Sequence, residues 1–205
     1  HMLENSEDRM VQFWGEQRGK SVLVYCDDEE SFKKYGSGTP GVAYLNPLSS
    51  FIILGRDGLN EDVISHELCH VELYDRLGWI KSHLEKPTWF DEGLALMVDY
   101  RYASEESRYR HFGFLVDWDR KLSVGISPLP LHSLETLEDF SHGNREKKLL
   151  AYLSSGLEVS RWLDVVGPNG MSDLVESIRE GNSFEKAYRQ LEQESITHAL
   201  RKELP

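Results

Sequence analysis

The sequence predicts an α+β fold, in which a small mixed β-sheet near the N-terminus packs on one helix and an all-helical half follows. Three short β-rich segments, bounded by glycine, proline or acidic residues, lie at residues 20–26, 42–46 and 50–55. From residue 105 onward the apolar spacing is helical throughout. We therefore expect two parts, residues 1–100 and 101–205, in one compact unit with a cleft between the halves.

The N-terminal half alternates between helices and strands. Residues 4–18 have the spacing of a short amphipathic helix, and residues 28–35 form a second helix that Gly36 ends. The strand at 50–55 directly precedes a longer helix, and we expect that strand at the edge of the sheet. An edge strand offers backbone N–H and C=O groups to an extended peptide. An edge that is covered by a loop fits the sequence equally well.

The longer helix begins at Asn60, a residue type that caps helix N-termini. Residues Leu77 to Lys86 follow it as an irregular connection. Thr88 is the predicted N-cap of the next helix, with Asp91 three residues later. The C-terminal half is predicted to contain a glycine- and proline-rich loop at 123–133 and helices at 104–121, 145–166, 171–180 and 183–193, with a last helix to Leu204.

Composition excludes several classes of function. The net charge of −12 argues against nucleic acid or an anionic membrane surface as a partner, because acidic side chains outnumber the basic ones that would neutralise phosphates. The sequence contains no run of about 18 apolar residues, so we expect no transmembrane segment. Two cysteines, Cys26 and Cys69, are too few for a disulfide scaffold, and we interpret both as buried thiols.

These features are typical of a soluble globular protein, and we expect a cytoplasmic location. His1-Met2 resembles a cloning remnant, so the presence of a native leader ahead of it stays open. The sequence predicts no particular oligomeric state.

The helix after Asn60 contains the pattern His-Glu-x-x-His, at residues 66–70. Residues four apart lie on the same face of a helix, so His66 and His70 can bind one metal ion. Glu67 lies one step round the helix, close enough to act on a water bound to that ion. This is the arrangement in which two imidazoles bind Zn²⁺ and a carboxylate moves the protons of the bound water.

A catalytic zinc ion needs a third protein ligand and an open position for water. A third histidine six residues beyond His70 is excluded, because Arg76 stands there. Glu92 is the better candidate, since 21 residues separate it from His70 and such a connection is long enough to reverse the chain. Two antiparallel helices joined in this way can present Glu92 to the ion.

Three other residues are weaker candidate ligands. Asp91 would point about 100° away from Glu92 on the same helix, so we interpret it as a capping or outer carboxylate. His83 does not fit the histidine spacing. Glu85 stays open as an alternative carboxylate ligand.

Two segments together resemble the gluzincin metallopeptidases of the peptidase MA-like branch. The sequence HELCH at 66–70 is followed by WFDEGLA at 89–95, which is similar to the family pattern W-x-x-E-G-x-A. The resemblance covers roughly residues 20–204, with specific motifs at these two places. It implies a zincin-like N-terminal part, His66, His70 and Glu92 as Zn²⁺ ligands, and Glu67 as the general base.

A third segment extends the resemblance into the C-terminal half. Residues 152–156 (YLSSG), followed by WLDVVG at 162–167, are similar to a segment of aminopeptidase-type gluzincins that begins with a tyrosine. In that family the hydroxyl group stabilises the oxyanion of the tetrahedral intermediate, so the resemblance implies this role for Tyr152. Residues 41–46 lack the glutamate with which the aminopeptidases bind a free amine, and this favours an endopeptidase.

The sequence therefore predicts a zinc metallopeptidase, a hydrolase acting on a peptide or protein substrate. In this interpretation Glu67 takes a proton from zinc-activated water and passes it to the leaving amine. Two alternatives stay open. One is a zinc hydrolase of a non-peptide amide or ester, and the other is an inactive zinc-binding interaction module, which would normally need a fourth protein ligand.

Overall fold

A computed structural model describes residues 1–36, 39–84, 86–103, 110–122 and 126–203. In that part of the chain it contains one three-stranded sheet and ten α-helices, which confirms the predicted α+β class and the helical C-terminal half. The candidate ligand Glu85, the start of the helix predicted at 104–121, part of the loop predicted at 123–133, and Leu204 lie outside the described residues.

The sheet is mixed, as predicted, and its strand order is β1-β3-β2. Strand β1 (Ser21–Tyr25) pairs in parallel with β3 (Ser50–Leu54), and β2 (Gly41–Leu45) pairs with β3 in antiparallel fashion. The prediction that β3 lies at the sheet edge is therefore wrong. This strand carries the apolar run FIIL, which suits a central strand with a neighbour on each side. Strands β1 and β2 form the two edges of the sheet.

Four helices belong to the N-terminal part of the chain. They are α1 (Met2–Trp14), α2 (Glu29–Tyr35), α3 (Glu61–Leu77) and the short α4 (Trp79–Leu84). Asn60 caps α3 as predicted, because its side chain accepts a hydrogen bond from the Val63 N–H at 3.0 Å. The connection predicted to be irregular after Leu77 is partly helical, since α4 begins directly after Gly78 ends α3 with φ +78°.

Helix α3 is the most buried helix of this region. Fourteen of its seventeen residues are buried, including charged and polar ones, and it packs against α1, β2 and β3. Both cysteines are buried as predicted and are not joined by a disulfide. A helix buried on most sides must find partners within the protein for its polar side chains.

One such partner set surrounds Glu72, whose side chain is 1% exposed. Its carboxylate accepts hydrogen bonds from the backbone N–H groups of Arg18 at 2.9 Å and Gly19 at 2.7 Å. It also accepts a hydrogen bond from Arg76 Nε at 2.7 Å, and Arg76 in turn donates to the Glu16 carbonyl at 2.9 Å. This carboxylate ties the segment that leads into β1 to the middle of α3.

The remaining six helices are α5 (Thr88–Ala95), α6 (Arg110–Lys121), α7 (Leu137–Ser141), α8 (Arg145–Val166), α9 (Gly170–Arg179) and α10 (Phe184–Glu203). Helix α8 has its predicted bounds. Helix α7 was not predicted, and residues 184–203 form one helix where two were expected, because no glycine or proline interrupts that stretch. Across the described helices, none combines the length and apolar content needed to cross a bilayer.

The start of α5 also differs from its prediction. Thr88 lies inside the helix instead of capping it. The first two N–H groups donate to backbone carbonyls, from Thr88 to Glu135 at 2.8 Å and from Trp89 to Leu134 at 3.0 Å. Backbone carbonyls of a neighbouring chain segment thus accept the hydrogen bonds of the first N–H groups of α5. A sequence pattern of capping side chains does not indicate such partners.

The chain divides into two compact units, residues 1–79 with 94–103 and residues 80–93 with 104–205. The second unit has an aromatic core, in which the Trp162 and Tyr188 rings stack at a centroid distance of 4.5 Å and Phe90 lies 4.7 Å from Phe184. Trp89 joins the same core, with its ring 5.9 Å from that of Phe184. Trp89 and Phe90 are buried packing residues, as the sequence analysis expected.

We predict that Glu72→Leu lowers the free energy of unfolding by about 3–5 kcal/mol, because the variant leaves two backbone N–H groups and the Nε of the buried Arg76 without their acceptor. Urea unfolding of the metal-free protein measures the change. The control is Glu29→Gln, which removes an exposed ion pair with Lys33 and should leave stability unchanged. Equal stability of the two variants would show that the Glu72 contacts do not hold the fold.

Candidate metal centre

Three side chains that could hold a metal ion lie together, namely His66 and His70 on α3 and Glu92 on α5. One ligand atom from each of them lies within 4.8 Å of the others. The ligands of one tetrahedral Zn²⁺ ion lie about 3.3 Å apart, so small side-chain rotations bring all three onto a common ion. The structure thus brings together the three residues that the sequence analysis named as ligands.

The helix supplies the geometry of the two imidazoles. His66 and His70 are one turn apart, with ring centroids separated by 4.9 Å and planes at 80°. Both are buried, at 5% and 8% exposure, and Glu67 is equally buried at 7%. Burial shields the two imidazoles from water. Their ring nitrogens therefore need hydrogen-bond partners in the protein or a bound ligand.

Glu92 is positioned by the packing of the helix that carries it. The next residue, Gly93, contacts α8 so closely that a Cβ atom there would lie 2.5 Å from the Ser155 carbonyl oxygen and 2.7 Å from Val159. Only glycine permits this approach without a shift of one helix. The glycine of the WFDEGLA segment therefore sets the distance between α5 and α8 directly beside the candidate ligand.

The other carboxylate of this segment has a different role. Asp91 forms an ion pair with Lys86, and both side chains are largely buried. The interpretation of Asp91 as a capping or outer carboxylate stays a prediction. Within the described residues, the group of three contains neither Asp91 nor His83.

Sequence reasoning missed Asp99, which is fully buried next to His66. Its Oδ2 atom lies 3.1 Å from His66 Nδ1, and Arg101 Nε donates to both of its carboxylate oxygens at 2.9 and 3.0 Å. Burial by itself raises the pKa of Asp99, but the hydrogen bonds from His66 and Arg101 outweigh burial and hold the pKa well below its usual value. Asp99 is thus ionised at neutral pH.

The charge of Asp99 determines how His66 is protonated. An ionised carboxylate only accepts hydrogen bonds, so His66 Nδ1 must carry the proton that it shares with Asp99. In the neutral imidazole this leaves Nε2 with its lone pair, the form that binds a metal ion. One sequence signal could have indicated Asp99: it is the only charged residue in the otherwise apolar run LALMVDY at 94–100.

Tyr152 is half-buried on α8, and its ring contacts Phe140 edge-on at a centroid distance of 5.1 Å. It lies one helical turn before Ser155, the residue against which Gly93 packs. Tyr152 therefore occupies the turn of α8 adjacent to the α5 contact. Its predicted role at an oxyanion stays a prediction.

Comparisons with family models, with curated proteins and with solved structures give no match to this chain. The interpretation of the centre therefore depends on its own residues and geometry.

We predict that Asp99→Asn weakens metal binding about 10- to 100-fold, because an amide no longer fixes the protonation and direction of the His66 ring. Competition with a chelator of known zinc affinity measures the apparent Kd. Asp173→Asn, which changes an exposed carboxylate on α9, is the control and should bind zinc like the parent. If Asp99→Asn also retains the parent Kd, Asp99 does not orient His66.

Proposed function

We propose that the protein is a zinc-dependent peptidase of the gluzincin type, and within that class an endopeptidase. The observation that carries this proposal is the grouping of His66, His70 and Glu92 within 4.8 Å. Two imidazoles and one carboxylate are a donor set that suits Zn²⁺ and leaves a fourth position for water. A purely structural zinc site would require a fourth protein ligand, and the group found among the described residues has three.

In the proposed reaction Glu67 is the general base. When bound, the ion lowers the pKa of a coordinated water to about 7 and polarises the scissile carbonyl. Glu67 accepts the proton of the attacking water and delivers it to the leaving nitrogen. The Tyr152 hydroxyl donates a hydrogen bond to the oxygen of the former carbonyl as negative charge develops there. Asp99 keeps the His66 ring in its binding orientation throughout.

The position of strand β2 favours a peptide as the substrate. It lies at an edge of the sheet, and its first residue, Gly41, is so close to α3 that a Cβ atom there would lie 3.2 Å from Glu67 Cγ. An extended peptide that pairs with an edge strand gains backbone hydrogen bonds along its length. Residues 41–46 also lack the amine-binding glutamate that the resemblance to aminopeptidase-type gluzincins would place there, and this supports internal cleavage over aminopeptidase activity.

Two matched variants test the proposal. We expect Glu67→Gln to keep the parent's zinc content and to lose at least about 100-fold in cleavage rate, because the base is removed and the ligands stay. Glu92→Ala should lose both zinc and activity, because a ligand is removed. Metal analysis and a peptide-library cleavage profile, with and without a chelator, measure the outcome. Glu138→Gln, on the exposed face of α7, is the control.

Each result separates one hypothesis from the others. Parent-like cleavage by Glu67→Gln would exclude Glu67 as the base, and unchanged zinc content in Glu92→Ala would exclude Glu92 as a ligand. Hydrolysis of simple esters or acyl amides, without peptide cleavage, would favour the non-peptide hydrolase. A zinc-loaded parent with no hydrolytic activity on any of these substrates would favour the interaction module.

A further variant tests Tyr152. We expect Tyr152→Phe to lower kcat about 100-fold with unchanged zinc affinity, because the ring and its contact with Phe140 stay while one hydrogen-bond donor is lost. Steady-state cleavage of the best library peptide measures kcat. Tyr25→Phe, on edge strand β1, serves as the control. A Tyr152→Phe variant with the parent's kcat would remove Tyr152 from the mechanism.

A further inference from the structure

Helix α1 contacts the turn that carries Asp99. Arg9 on this helix donates from Nη1 to the Val98 carbonyl at 3.0 Å and to Asp62 Oδ1 at 2.7 Å. Its guanidinium also lies over the Tyr100 ring, 4.3 Å from the centroid. The Arg9 side chain is only 17% exposed, so these contacts form in a partly desolvated environment where charge-assisted hydrogen bonds are strong.

The same contacts fix the backbone on both sides of Asp99. Val98, the preceding residue, is bonded through its carbonyl to Arg9. Tyr100, the following residue, donates its N–H to Asp62 Oδ1 at 3.2 Å. Asp62 is itself in the first turn of α3, the helix that carries His66. The two peptide groups that flank Asp99 are therefore held to α1 and to α3.

We propose that Arg9 is a positioning residue of the metal centre, acting through Asp99 on His66. This inference rests on metal binding by the proposed centre. Arg101 also donates to the Asp99 carboxylate. The position of that carboxylate still depends on the backbone at 98–100, so loosening the turn moves it relative to His66 Nδ1. Arginine suits this role because its Nη1 bonds a carbonyl and a carboxylate while the planar face of the guanidinium lies over an aromatic ring.

The structure offers a matched control on the same helix. Asn5 Nδ2 donates to Glu61 Oε1 at 2.6 Å, a contact that also joins α1 to the first turn of α3 but does not involve residues 98–100. Weakening this contact tests whether a general loosening of α1 from α3 is enough to change zinc affinity. It leaves the hydrogen bond to Val98 in place.

The test measures the zinc Kd of Arg9→Met and Asn5→Ala by chelator competition, each with Asp99 present and in an Asp99→Asn background. Urea unfolding of the metal-free proteins establishes that each variant is folded under the binding conditions. We expect Arg9→Met to weaken zinc binding roughly 3- to 10-fold when Asp99 is present and less than about twofold in the Asp99→Asn background. Asn5→Ala should bind zinc like the parent.

A second variant covers a failure of Arg9→Met to fold. Arg9→Lys keeps the charge opposite Asp62 but loses the planar group that lies over the Tyr100 ring. We expect it to weaken zinc binding roughly 2- to 3-fold, again only when Asp99 is present. Parent-like zinc affinity in both Arg9 variants would overturn the inference. Equal weakening in the two backgrounds would also overturn it, because Arg9 would then act on the fold and not through Asp99.

The parent protein distinguishes failure of this inference from failure of the proposed function. If the parent binds no zinc, the proposed metal centre does not exist and Arg9 has no role in it. If the parent binds zinc and the Arg9 variants bind it equally well, the centre stands and only the role of Arg9 is excluded.

Discussion

The burial of a polar helix is the constraint on which this structure depends. Helix α3 carries two histidines, two glutamates and an arginine at buried positions, and each must be satisfied inside the protein. Glu72 meets this requirement with the backbone before β1 and with Arg76, and so fixes where the sheet begins. His66 meets it with Asp99. His66 and His70 also lie together with Glu92, in a group that could hold a metal ion.

The candidate ligands are supported in two different ways. The His66 ring is held by a hydrogen bond to a carboxylate, and the turn carrying that carboxylate is tied to α1 and α3 through Arg9 and Asp62. Glu92 is held by close helix packing, because Gly93 lets α5 approach α8 at the next residue. Polar contacts thus set the direction of the His66 ring, and close packing of α5 on α8 sets the position of the Glu92 carboxylate. A metal site needs both, since its ligands must be placed to within a few tenths of an ångström.

The sequence predicted those features that depend on local periodicity. The Asn60 cap, the bounds of α8 and the three strands follow from short-range patterns. The grouping of Glu92 with His66 and His70 was expected from the pairing of two motifs and a connection long enough to reverse the chain. It did not predict features that depend on distant partners. The central place of β3 depends on which strands pair with it, and the start of α5 depends on carbonyls of residues 134 and 135. Asp99 was missed because its partner lies 33 residues away, although a lone charge in an apolar run indicated it.

Zinc K-edge X-ray absorption of the protein loaded with one equivalent of Zn²⁺ identifies the atoms that bind the ion. We expect a shell of nitrogen and oxygen at about 2.0–2.1 Å, with the multiple scattering of two imidazoles and no sulfur. Cys69 stands next to His70, so a thiolate ligand is the clearest competing possibility. A sulfur shell at about 2.3 Å, or the signature of a single imidazole, would contradict the assignment of His66, His70 and Glu92.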